Sequence, residues 1–153
     1  MTKDFFRSFI CVALTCGIIC GLSFSNVAQA VPHSALSQAV YKTKKDLSDR
    51  DIFPLVNDSY IKVDETHKLI IMSLVVNAAT NRATALDLGD KMIRLFSANA
   101  VDAGSGTTMP SGRNYGSLFD EYTISLGIAP SHAIEDQSRW FYSGTIRPGT
   151  HRM

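Results

Sequence analysis

Residues equipped for acid–base, nucleophilic or metal chemistry gather in the last third of this 153-residue chain, and their spacing decides how much chemistry they can share. His132, Glu135 and Asp136 form an H-x-x-E-D run whose three side chains would share a face on a helix. Pro130 precedes the run and no second histidine lies nearby at the fixed spacing that zinc sites use. The run therefore reads as a solvated acidic turn. Asp120 and Glu121 are the paired carboxylates that general acid–base catalysis uses. Neighbouring residues at the start of a strand point to opposite faces, so these two read as strand-edge charges. Serine, histidine and aspartate occur without a G-x-S-x-G turn to expose a nucleophile. Gly104-Ser105-Gly106 lacks the lysine and the preceding strand of a phosphate loop. No catalytic, metal or cofactor site is expected, and the chain reads as non-enzymatic.

Binding is the chemistry that remains. The segment 101–116 carries Gly104, Gly106, Pro110, Gly112 and Gly116, and it is longer than a simple connection needs. Within it, Arg113 and Tyr115 are of types enriched at binding hot spots. Both are expected to be exposed, so that replacing them leaves folding nearly intact and removes partner capture. Trp140, Phe141 and Tyr142 make a dense aromatic cluster, with Trp140 and Tyr142 expected on a core-facing side and Phe141 opposite. Arg139 and Trp140 are expected to form the floor of a groove beneath the 101–116 loop. Ser111-Gly112-Arg113-Asn114-Tyr115 has the S-G-x-x-Y spacing that resembles the inhibitory loop of some periplasmic lysozyme inhibitors. The resemblance spans five residues and implies a loop that inserts into a partner. Those inhibitors are all-β barrels, a fold that the pattern below does not match.

The elements that must position these residues follow from periodicity. Ser34 is suited to cap a helix to about Leu47, with Leu36, Val40 and Leu47 on one face. Tyr60–Val63 and Leu69–Val76 are β-branched runs separated by Asp64-Glu65-Thr66-His67, which predicts a hairpin. The second run is apolar on both sides, which predicts a central strand covered on both faces. Thr80 is expected to cap a second helix to about Ala98, carrying Asp87–Lys91 and Asp90–Arg94 pairs on its exposed side. Tyr122–Ile128 and Arg139–Ile146 alternate as two further strands. The order α-β-β-α-β-β predicts an α+β fold, with helices packed on a mostly antiparallel sheet of about four strands.

At the start of the chain, Lys3 and Arg7 precede an uncharged apolar run from Ser8 to Ser25, and Ala28-Gln29-Ala30 follows as a small-x-small pattern. This predicts a signal peptide over 1–30, cleaved after Ala30, and a single domain over 31–153. The chain's three cysteines, Cys11, Cys16 and Cys20, would leave with the signal. Losing Lys3, Arg7 and Asp4 would take the net charge from +1 to zero, which argues against a nucleic-acid partner. Lys42, Lys44 and Lys45 are followed by Asp46, Asp49 and Asp51, as on a solvated helix face. The expected protein is an exported accessory or binding protein of the bacterial envelope, periplasmic or secreted. Its partner would be another envelope or extracellular protein, and it would touch the membrane only through its signal. The alternative is a small periplasmic hydrolase or small-molecule binder using a groove near the 101–116 loop.

Overall fold

A buried stripe and two good caps explain the helices. The structure, a computed structural model, describes residues 34–106 and 108–150; the expected signal peptide and its cysteines lie outside the described residues. In helix α1, Ala35–Leu47, Leu36, Ala39, Thr43 and Leu47 repeat at helical spacing and are buried. Ser34 caps it by accepting from the Ser37 amide at 3.1 Å, and Lys44 and Lys45 sit in its last turn, where cations suit the helix dipole. Helix α2, Arg82–Asp102, is capped by Asn81 rather than Thr80. The Asn81 Oδ1 accepts from Thr84 N at 2.9 Å, whereas Thr80 is itself buried and its hydroxyl makes no hydrogen bond to the helix start.

The sheet runs in the order β1-β2-β3-β4, comprising β1 (Val56–Asp64), β2 (Leu69–Val76), β3 (Thr123–Pro130) and β4 (Tyr142–Ile146). β1 and β2 are an antiparallel hairpin, and β3 and β4 are also antiparallel. β2 and β3 pair in parallel, from Leu69 opposite Thr123 to Val76 opposite Pro130. A parallel pair needs a crossover, and α2 supplies it. The fold is thus α+β in the predicted order, with a mixed, mostly antiparallel sheet.

One face of the sheet and both helices form the core. Ile70, Met72, Leu74 and Val76 on β2 join Ile124, Leu126 and Ile128 on β3, and Met92, Ile93 and Phe96 of α2 close over them. β2 is central, as its composition predicts. Its second face is covered only in part: Val75 is buried there, whereas Leu69, Ile71 and Ser73 are half-buried, because both helices pack on the other side. β-branched residues favour a pleated surface whether or not a second layer covers it, so the apolar run alone did not count the layers. The strand expected over Arg139–Ile146 begins at Tyr142, and Gln137–Arg139 is a short 3₁₀ turn. Trp140 therefore lies in the connection, out of step with Tyr142. Phe141 and Tyr142 pack against the core.

Candidate functional site

The four residues expected to bind stand in two separate places. Tyr115 is buried, 1 % exposed, and belongs to the core with Phe119, whose ring it meets edge-on at 6.0 Å. Its hydroxyl donates to Asp90 Oδ1 at 2.7 Å. Asp90 also accepts from Arg94, Nε to Oδ2 at 2.6 Å, and the guanidinium lies 4.8 Å from the Tyr115 ring centroid. The same guanidinium donates through Nη1 to the carbonyls of Ser111 and of Asn114, the latter at 2.7 Å. The Asp90–Arg94 pair, expected as an exposed helix pair, is partly buried and clamps the loop onto α2. Asp87 and Lys91, at 2.7 Å, do form the exposed pair. Gly116 seals the clamp. Its φ is +90°, and a Cβ there would come within 2.6 Å of Ser97 Oγ and 2.7 Å of the Thr108 carbonyl. Arg113 is exposed at the tip of this segment.

Arg139 and Trp140 belong to the opposite side of the sheet. The core rows of β2 and β3 are the even-numbered positions, so Ser73, Ser125 and Gly127 point outward. A Cβ on Gly127 would lie 2.7 Å from Cζ3 of Trp140 and further from Cε3 and Cη2. The indole therefore stands with its benzo edge on Gly127, and only glycine leaves room for it. Trp140 Nε1 donates to the Ile134 carbonyl at 3.1 Å, which holds the ring from its other side. Arg139 is exposed in the adjoining turn. The loop of Arg113 and Tyr115 is held on α2, so the structure does not join it to Arg139 and Trp140 in one groove.

Trp140 instead walls a shallow groove of about 260 Å³ across the open face. Register places Ser73 beside Gly127 and Gly127 beside Ser143, and in the next row Ile71 beside Ser125 and Ser125 beside Thr145. Gln137 reaches over from the 3₁₀ turn and donates to Ser143 Oγ at 2.6 Å. Ile71, Ser73, Ser125, Gln137, Ser143 and Thr145 line the groove with Trp140. Sequence reasoning missed these hydroxyls. Their signal was available: Thr123, Ser125 and Gly127 alternate with apolar residues, and Ser73 interrupts an otherwise apolar strand.

The residues suited to catalysis are dispersed. His132, Glu135 and Asp136 are exposed in the turn after β3, and Asp136 Oδ1 accepts from Ser138 N at 3.1 Å and Ser138 Oγ at 2.6 Å. Glu121 pairs with Lys68 at 3.2 Å, while Asp120 belongs to the preceding 3₁₀ turn. Among the described residues, no three His, Cys, Asp or Glu side chains group to hold a metal ion, and no helix is long and apolar enough to cross a membrane. Among the described residues, two ionisable groups are clearly perturbed, both at the hairpin end of the sheet. The side-chain hydrogen bond from His67 lowers the Asp64 pKa from 3.8, and the hydrogen bond to Glu121 raises that of Lys68 from 10.5. No family model, curated protein or solved structure matches the chain.

Proposed function

We propose that this chain is an exported, non-enzymatic binding protein of the bacterial envelope, and that the open face of its sheet is the binding surface. The observation that carries this reading is the unequal treatment of the two sheet faces. One is sealed by both helices, and the other leaves Ile71 and Trp140 half-buried around a groove. Clefts lined by an aromatic and a few convergent polar groups are where ligands bind. The signal-peptide pattern read over residues 1–30 supports such a surface working in the envelope or outside the cell, with its partner another component there.

The test is capture from envelope extract by the immobilised protein, compared with two variants of the open face. Trp140→Ala and Ser143→Arg should each abolish the specific capture, and Arg113→Ala, at the loop tip, should leave it intact. Ser143→Arg places a bulky charge on an exposed position, so its folding should match the parent in a thermal melt. Capture that survives both open-face variants would overturn the assignment of this surface.

A further inference from the structure

We infer that the groove beside Trp140 is a subsite for one ring of a neutral saccharide, an inference that rests on the open face being the binding surface. The lining side chains carry no charge. An ionic ligand would lose its hydration there and gain no counter-charge in return. Four of the lining groups are hydroxyls, those of Ser73, Ser125, Ser143 and Thr145, and Gln137 adds an amide. Each hydroxyl both donates and accepts, and the amide offers two donors and an acceptor. Gln137 and Ser143 partner each other, but a wholly apolar ligand would cover the remaining hydroxyls without a partner from itself, whereas a sugar presents several hydroxyls of the same double character around its ring.

Trp140, half-buried on the groove's wall, supplies an apolar surface for the C–H groups that a sugar also presents. The ring is fixed before any ligand arrives, by Gly127 under its edge and the Ile134 carbonyl on Nε1. A fixed ring loses little entropy on binding. The groove's size sets the unit. At about 260 Å³ it falls below the roughly 300–1,000 Å³ of sites that enclose a drug-sized molecule, so it suits one ring. Neighbouring strands lie about 4.8 Å apart, so Ser125 and Thr145, paired across β3 and β4, set two hydroxyls at about that spacing in the row beside the one that Trp140 covers at Gly127. Because the groove is open, the rest of a glycan chain runs on past it. Lys62, opposite Ile71 on β1, lies outside the lining.

Trp140 is the chain's single tryptophan, so tryptophan emission, excited where the tyrosines do not absorb, reports on this groove. The purified protein is titrated with maltohexaose, cellohexaose and N-acetylchitohexaose, with hexagalacturonate as the anionic control. At least one neutral hexamer should give a saturable change, half-complete at or below about 10 mM, a weak affinity suited to a shallow subsite. The anionic hexamer should give none. Gly127→Ala, which forces the indole off its seat, should weaken the neutral sugar about tenfold or more. Ser143→Ala, on the exposed edge strand, should do so in part and serves as the variant should Gly127→Ala fail to fold. If no neutral hexamer changes the signal, or the anionic one does so equally, the saccharide inference is overturned. In that event, envelope capture that still depends on Trp140 would keep the open face as a binding surface for another ligand, and capture indifferent to Trp140 would remove both.

Discussion

Tyr115 shows how far a residue's type can mislead about its place. An aromatic beside an arginine in a glycine-rich segment is what an exposed contact loop contains, and that was the reading of Arg113 and Tyr115. What the pattern does not carry is the partner on α2. Asp90 and Arg94 look like a helix pair at i,i+4, yet Arg94 also reaches two loop carbonyls and Asp90 takes the Tyr115 hydroxyl. Such contacts bridge 17 to 25 positions and leave no local signature. The two residues should therefore behave differently. Tyr115→Ala should cost about 3–5 kcal/mol in chemical denaturation, the range for a large buried aromatic, and Arg113→Ala no more than about 0.5 kcal/mol, as at exposed sites. Equal small losses would put the loop off the helix. A second residue-scale expectation concerns Asp64, which accepts from the His67 backbone at 3.0 Å and from its ring Nδ1 at 2.8 Å. A carboxylate whose folded pKa is lowered contributes stability above its unfolded pKa and loses it as pH falls through the folded value. Lys68, with its pKa raised, contributes below 10.5 and loses that contribution as pH rises through its higher folded value. Carbon-detected NMR titration should place the Asp64 midpoint below 3.8, and the hairpin turn should be most resistant to amide exchange between the two titrations. A midpoint at or above 3.8 would mean that the His67 contacts do not form in solution.

At the scale of elements, sequence legibility tracks how local the cause is. Both helices were legible because caps and buried stripes are local; α2 merely takes its cap from Asn81, one residue beyond Thr80. The hairpin was legible because two β-branched runs flank a short polar turn. The parallel pairing of β2 with β3 and the half-covered second face were not, because both depend on which side of the sheet α2 crosses. The aromatic run at 140–142 was read as strand alternation, whereas Asp136 caps a 3₁₀ turn that turns Trp140 out of register with β4. Of the groove's lining, only Trp140 was among the residues singled out from sequence, with Arg139 beside it in the turn, and the hydroxyls around Trp140 became a group only once three strands lay side by side. The core face of β2 carries the element-scale prediction. Leu74 is 1 % exposed and sits between Ser59 of β1 and Ile128 of β3. Leu74→Ala should cost about 2–5 kcal/mol, since the helices above cannot collapse fully into the space. Ile71, on the half-covered face, should lose distinctly less when shortened to alanine. If the two losses were equal, something beyond the described residues would have to cover the second face.

For the molecule as a whole, the proposed export would bear on stability through where the cysteines fall. Cys11, Cys16 and Cys20 all precede Ala30, so a chain processed there would hold no thiol and could form no disulfide. A disulfide stabilises mainly by restricting the unfolded chain, and small exported domains with little core rely on that restriction. Here the core has another source. One side of a four-stranded sheet and the stripes of two helices close on Met72, Leu74, Ile93, Phe96 and Ile128, all buried. Burial of this kind contributes about 25 cal/mol per Å² of apolar surface and needs no oxidant, so the fold is suited to an oxidising compartment without being coupled to its redox state. Protein recovered from the envelope or culture fluid should therefore begin at Val31-Pro32 on N-terminal sequencing. Its melting temperature should be the same with and without a thiol reductant, and with and without a chelator. A retained Met1 on membrane-bound protein would replace the cleaved signal with an anchor. A melting temperature lowered several degrees by reductant would mean that the cysteines stay with the mature chain and take part in holding it together. A drop of that size with chelator alone would show that a bound metal ion contributes to folding, and the acidic turn at His132, Glu135 and Asp136 would be the first place to look for its ligands.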